Sequence, residues 1–486
     1  MKKTSLFSAS SVALAVAALC ASVPAFAQVE AKVTGRVQFD ARDISSGGLK
    51  QISDRDSAST ADNFEIRRAR IGISGSINKD INYEVVGNAV GSSANFVDTA
   101  FVNYGFNKSG QIRAGRFKQP FSLEELTSSN NIDFMERSYG NQMVPGKKLG
   151  LMFHGEITKG LVYGVSAFAD GFNEVTNSNY LGSKSAVRVA YNAAEAMGAT
   201  DTVLHFGAAN TQGTSQTVPT NSGNTQSAPD TVTRATILAF RSEARGMSNV
   251  YRLQIGGDTL VGGADYNQSA NNAVNINQNM NGLELALAKG AWKFQMENFD
   301  SKYAASGRSE TLSSGVKTDA TVDARVKAQY IEIMYNITGE EWSKAYKGGA
   351  FSGITPTSVF MKDYGGVVGN GTGAWQVGFR TSKYNSSVPM PVSGAGDSSC
   401  LGTINTKCEY AAVGNSASGN RVQNSETATT NTYALNWIMN PNARVMLNYS
   451  ETKFGHNVMM LDTSRREVAG ATNKEQVISV RTQINF

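Results

Sequence analysis

The chain has 486 residues, with 45 Lys and Arg against 40 Asp and Glu and a formal net charge of +5. So small an excess gives no reason to expect a nucleic-acid partner, and any preference for anions must come from where the charges sit rather than from their sum. Beyond the N-terminus no stretch reaches the roughly 18 consecutive apolar residues of a transmembrane helix, and no linker or composition break divides the chain.

The N-terminus reads as a secretory signal. Lys2 and Lys3 give a basic start, an apolar run extends from Val12 to Val23, and Ala25-Phe26-Ala27 forms an A-x-A cleavage site. The expected organisation is residues 1–27 as a signal peptide and 28–486 as one domain. Without Lys2 and Lys3 the basic count falls from 45 to 43, against 40 acids, so the exported chain carries about +3.

From there a period-two alternation over about ten residues recurs to the C-terminus. In "VTGRVQFDA", Val33, Gly35, Val37 and Phe39 oppose Thr34, Arg36, Gln38 and Asp40. In "FEIRRARIGISG", Ala69, Ile71 and Ile73 make one row, while Arg68, Arg70 and Ser74 make the other. Parity puts Arg67 on the apolar row. An arginine facing lipid costs about 2–4 kcal/mol at mid-bilayer but only about 0–1 near its edge. Arg67 therefore sits near the rim or against another subunit, or a bulge turns it inward.

The segment from Phe117 to Lys148 follows "QIRAG", which carries Arg113, and is the third long connection in strand order. Ser122-Leu123-Glu124-Glu125 has the S-x-x-E form of a capping box, so a short helix is expected there. Lys118, Lys147 and Lys148 flank this segment. Its acids Glu124, Glu125, Asp133 and Glu136 can tether it to wall arginines, or can simply face solvent. Further on, "TRATILAFRSE" and "YRLQIGGDTL" alternate poorly, and Arg234, Arg241, Arg245 and Arg252 fall in and between them. Counted as strands they make 18 in all. Left out, they give 16, with 211–281 as one long insertion, a length that is unusual unless functional.

Long polar segments also fall at about 43–62, 300–324, 385–430 and 456–473. Cys400 and Cys408 lie close together in one of them and can form a small loop disulfide or remain two thiols. "AWQVGFR", "ARVMLNYS" and the terminal "VISVRTQINF" alternate again, ending on Phe486.

Soluble sandwiches alternate over strands of about 5–6 residues. Ten-residue alternation with tight turns at one end and long polar loops at the other points to an antiparallel transmembrane β-barrel in a bacterial outer membrane. The apolar rows then face lipid. The same parity test places Arg36, Arg188, Arg380, Arg444 and Arg481 in the lumen with Arg68 and Arg70. Guanidinium groups stay charged, offer paired N–H donors to oxyanions and are weakly hydrated. Wall arginines opposed by acids can equally set a transverse field in an unselective pore. The three histidines, His154, His205 and His456, are scattered. No compact acid–base–nucleophile motif, Cys/His metal spacing, phosphate-binding glycine loop or calcium loop appears in the sequence, although residues distant in sequence can still converge; neither enzyme activity nor a metal or cofactor is expected.

Three motifs, "FEIRRARIGISG", "IRAGRFKQPFSLEELTSS" and "VPGKKLGLMFHGE", resemble the phosphate-selective porin O/P family of Gram-negative outer membranes. "NITGEEW" (336–342) and "NPNARVMLNYS" (440–450) extend the likeness toward the last strand. The resemblance implies a 16-stranded, usually trimeric channel. It also implies a third loop folded inward as a constriction and basic residues that pass anions such as phosphate, pyrophosphate and chloride. The candidate anion-binding residues are then Arg36, Arg68, Arg70, Arg113, Lys118, Arg188, Arg241, Arg245, Arg252, Arg380, Arg444 and Arg481. Two departures bear on substrate preference: Arg241-Ser242-Glu243 stands where the family usually has R-P-E, and Lys147 where it commonly has arginine. A weakly selective general porin is the alternative within the class. An outer-membrane enzyme or adhesin acting through a loop such as 385–430 is the alternative outside it.

Overall fold

The computed structural model describes residues 30–46, 49–50, 63–90, 96–170, 182–217, 235–246, 251–255, 274–311, 316–360, 371–387, 427–461 and 467–486. The expected signal peptide and both Cys400 and Cys408 lie outside them.

The alternating segments form sixteen antiparallel strands, each hydrogen-bonded to its sequence neighbours. The first half comprises β1 (Glu30–Ser46), β2 (Asn63–Ser76), β3 (Ile81–Asn88), β4 (Val97–Gly105), β5 (Gln111–Lys118), β6 (Lys147–Thr158), β7 (Leu161–Ala169) and β8 (Ser183–Asn192). The second comprises β9 (Thr202–Thr217), β10 (Val274–Lys289), β11 (Trp292–Thr311), β12 (Val316–Asn336), β13 (Ala374–Ser387), β14 (Thr427–Asn440), β15 (Ala443–Leu461) and β16 (Glu467–Asn485). The sheet closes where β1 pairs with β16, from Arg36 opposite Asn485 to Ser45 opposite Gln476. Phe486 extends this seam by exchanging backbone hydrogen bonds with Gly35. Closure leaves no sheet edge unpaired, a requirement for any sheet that spans a bilayer.

Alternation fixes the two faces. Ile71 is 58% exposed and Leu283 62%, whereas Gln38, Asp40 and Arg481 are wholly buried. The tight turns use local chemistry: Asn78 Oδ1 accepts from the backbone N–H groups of Asp80 and Ile81, both at 2.9 Å. The wall is uneven. β3, β4 and β5 have 8, 9 and 8 residues, while β10, β11 and β12 have 16, 20 and 21.

Two expectations about connections change. The polar stretches near 300–324 and 456–473 are mostly strand, since β11 runs to Thr311, β12 starts at Val316, β15 runs to Leu461 and β16 starts at Glu467. A strand that stands above the bilayer has water on both sides, so polarity does not mark its end. The poorly alternating pair in the 211–281 stretch forms a separate hairpin, Ala235–Phe240 with Tyr251–Ile255, that does not join the wall. The wall therefore has 16 strands rather than 18, and the fifth long connection spans 218–273.

Candidate functional site

The lumen is not an open tube. Loop 3, residues 119–146, enters it and carries a single-turn helix, Leu123–Leu126. Ser122 caps this turn, its Oγ accepting from the Glu125 N–H at 3.2 Å. The N–H groups of Leu123 and Glu124 donate to the Glu297 carboxylate of β11 at 3.0 and 2.7 Å. Irregular backbone buried in a lumen must find partners for its carbonyls, and arginine brings five donors on one planar group. The wall arginines take that role. Arg481 donates to the Met135 carbonyl at 2.6 Å, Arg444 to that of Ile132 at 3.1 Å, and Arg380 to that of Glu136 at 2.8 Å. Arg36 donates to Ser129 Oγ at 2.8 Å and to Asn130 Oδ1. Lys118 donates to the carbonyls of Glu125 and of Thr127, the latter at 2.9 Å.

Carboxylates complete these attachments. Arg481 clasps Asp40 through two bonds of 2.6 Å and also reaches Glu136 at 3.3 Å. Arg42 reaches Asp40 at 2.6 Å and Glu136 at 3.2 Å. Burial alone would raise the Glu136 carboxyl, but Arg67, Arg245, Arg481 and Arg42 outweigh it and hold that carboxyl well below the ordinary 4.5. Arg380 binds Glu243 of loop 5 at 2.6 Å and Glu124 of loop 3 at 3.2 Å, with its guanidinium 4.5 Å above the Phe134 ring. Arg245, also from loop 5, approaches Glu136 at 3.9 Å. Burial and the neighbouring arginines lower it to about 10, so it stays charged at neutral pH. Loops 3 and 5 are therefore tied to each other and to the wall through the same two groups, Arg380 and Glu136.

Arg67 does not face lipid. Gln38 pairs with Arg68, but the next residue, Phe39, pairs with Ile66. Arg67 is the extra residue of a β-bulge, and its Nε donates to Glu136 at 3.3 Å. Ile66 and Phe64 keep the outward row at 48% and 77% exposure. Of the three expected alternatives, the bulge is the one realised.

A second inward segment was not anticipated from the sequence. After β12 the chain from 337 enters from the short-turn end, with a 3₁₀ turn Trp342–Ala345 and a hairpin of Tyr346–Lys347 against Ala350–Phe351. The hairpin turn needs positive φ at both central residues, supplied by Gly348 at 60° and Gly349 at 79°. Trp342, Phe351 and Ile354 are buried against Leu123 and Phe134 of loop 3 and against Val203, Ala286 and Ile438 of the wall. Lys293 lies 4.8 Å from both the Trp342 and the Phe351 ring centroids while paired with Asp133 and Glu332. Arg188 is bidentate to Glu284, at 2.8 and 2.6 Å, and donates to the Gly349 carbonyl at 2.8 Å. His205, wholly buried, bridges Glu284 at 3.0 Å and the Tyr346 hydroxyl at 2.6 Å. The signal available in the sequence was length. Residues 337–373 connect β12 to β13, whereas 290–291 and 441–442 suffice for the neighbouring turns at that end.

These inward segments leave a cavity of about 1000 Å³ along β1–β8. Its lining includes eight basic residues, Arg36, Arg70, Lys108, Arg113, Lys118, Lys147, Arg188 and Lys347, against three side-chain carboxylates, Glu84, Asp98 and Glu156. Asp98 takes Arg70 at 2.7 Å and also pairs with Lys147. Arg113 donates to Asn103 Oδ1 at 3.3 Å.

The expected site residues thus fall into groups. Arg36, Arg70, Arg113, Lys118 and Arg188 line the cavity. Arg380, Arg444 and Arg481 are buried against loop 3. Arg68 donates to Gln38 Oε1 at 2.8 Å. Arg241 is exposed, and its backbone exchanges hydrogen bonds with the Gln142 side chain. Arg252 pairs through its backbone with Ala239. Sequence reading missed Lys108 and Lys347, which are marked only by their turns, and Arg42, whose partner Glu136 is distant in the chain.

The model of the family described as phosphate-selective porin O and P matches residues 31–486. No curated protein sequence matches the chain. Among solved structures, the chain is similar to OmpT of Vibrio cholerae in its trimer form, at 8% identity and a TM-score of 0.47, covering 94% of this chain and 99% of that one. It is similar to an anion-selective porin from Comamonas acidovorans, at 11% identity and a TM-score of 0.45, covering 94% and 100%. It is also similar to the outer-membrane channel DcaP of Acinetobacter baumannii, at 11% identity and a TM-score of 0.45, covering 96% and 100%. By the family match, which spans nearly the whole chain, this protein belongs to the phosphate-selective porin O and P family and is an outer-membrane channel of Gram-negative cells, not an enzyme.

Proposed function

We propose that this channel is anion-selective and passes phosphate-type oxyanions, with chloride also permeant, by passive diffusion into the periplasm. The observation that carries the reading is the lining of the cavity, with eight cationic side chains against three carboxylates. A series of moderate sites replaces part of an anion's hydration without holding it too tightly to leave. Arg36, Arg70, Arg113, Lys118 and Lys147 form such a series. Arg380, Arg444 and Arg481 support it by fixing loop 3. Export through the N-terminal signal and assembly as a trimer in outer-membrane lipid belong to the same reading.

The competing reading is a weakly selective general porin. Asp98 favours it, because it pairs with both Arg70 and Lys147. Phosphate titration of the chloride current in planar bilayers separates the two. Inhibition by phosphate is expected for the selective channel. Anion preference without inhibition would leave the general porin.

A further inference from the structure

Arg113 is set apart among the cavity arginines by its aromatic surroundings. Arg70, Arg188, Arg380 and Arg481 each meet a carboxylate. Arg36 meets none within ion-pair distance among the described residues, but it is bonded to Ser129 and Asn130 of loop 3. Arg113 likewise meets none within ion-pair distance among the described residues. Its acceptor is neutral, Asn103 Oδ1, which also bonds His154 Nε2 at 2.7 Å. Glu84 on the same cavity wall acts on Arg113 only from beyond ion-pair distance, so the guanidinium keeps N–H donors for a ligand. The guanidinium carbon lies 4.4 Å from the Phe101 ring centroid and 5.8 Å from that of Phe117, and the two rings meet edge to face. Val86 and Val162 add apolar surface to the same cavity.

A small inorganic oxyanion gains nothing from aromatic and aliphatic walls. An anion with a flat apolar body does, because its ring can stack on guanidinium and aromatic faces while its head takes the N–H donors. We infer that Arg113 and Phe101, backed by the buried Phe117, form a subsite for organic anions of this kind, arene carboxylates being the simplest class. The inference rests on the anion-channel reading and narrows its substrate class.

Benzoate and acetate share a head group and a charge and differ in the ring. Each is titrated against the single-channel chloride current in a planar bilayer. Benzoate is expected to reach half-inhibition at a concentration at least about fivefold below acetate, the size of one aromatic contact. Phe101→Ala should reduce that ratio to below about twofold. Phe101→Leu, which keeps an apolar side chain, should reduce it too and serves if the alanine variant does not insert. Because the ratio is taken within one channel, a general change in conductance cancels. Equal action of the two anions on the unmodified channel, or an undiminished ratio in both variants, would overturn the subsite while leaving anion selectivity intact. A cation-selective reversal potential, recorded first, would instead remove the reading on which the subsite rests.

Discussion

Arginines on the inner wall do two different jobs, and their partners decide which. Arg380 is nearly buried and joins Glu243, Glu124 and the Glu136 carbonyl. Removing it strands two buried carboxylates, so Arg380→Ala should cost about 3–5 kcal/mol of barrel stability. The shift in thermal unfolding of the detergent-solubilised protein measures it. Arg70 faces the cavity and is partly exposed, so Arg68→Ala with Arg70→Ala should change stability little but lower the anion-to-cation permeability ratio. An unchanged ratio would make the pair structural. Parity in the sequence was enough to turn Arg68, Arg70 and Arg481 inward. It could not separate anchoring from lining, because Asp40, Glu136 and Glu243 come from distant parts of the chain. Arg67 shows the limit most clearly: one bulge residue reverses what strict alternation implies.

At the scale of elements, loop 3 is held by charge. Glu136 has a carboxyl held well below 4.5 by four arginines. A depressed folded value means its stabilisation is complete above the ordinary carboxylate range and is lost as pH falls through the lower folded value. Conductance should therefore be steady from neutral pH down to about 5 and change only in stronger acid. Glu136→Gln should bring that change to neutral pH, as a larger and noisier single-channel current. The segment entering from the periplasmic end is held by apolar burial instead. Trp342→Ala removes a buried ring from the contact with Phe351 and Lys293 and should cost about 3–5 kcal/mol. The helix start at Ser122 was legible through its capping box. The periplasmic segment was not, since it has neither alternation nor a helical period, only an unusual length.

For the whole molecule, strand number, closure and the direction of most side chains follow from a period of two, because lipid outside and water inside impose opposite chemistry on alternate residues. What the period cannot show is how much of the lumen the inward segments fill. They leave a basic cavity along β1–β8, and the central claim is that this cavity selects anions. Reversal potential under a KCl gradient across a planar bilayer tests it most directly. The expected result is a potential of the sign set by chloride, reduced when Arg70 and Arg113 are both replaced by Ala. A potential of the sign set by potassium would contradict the account.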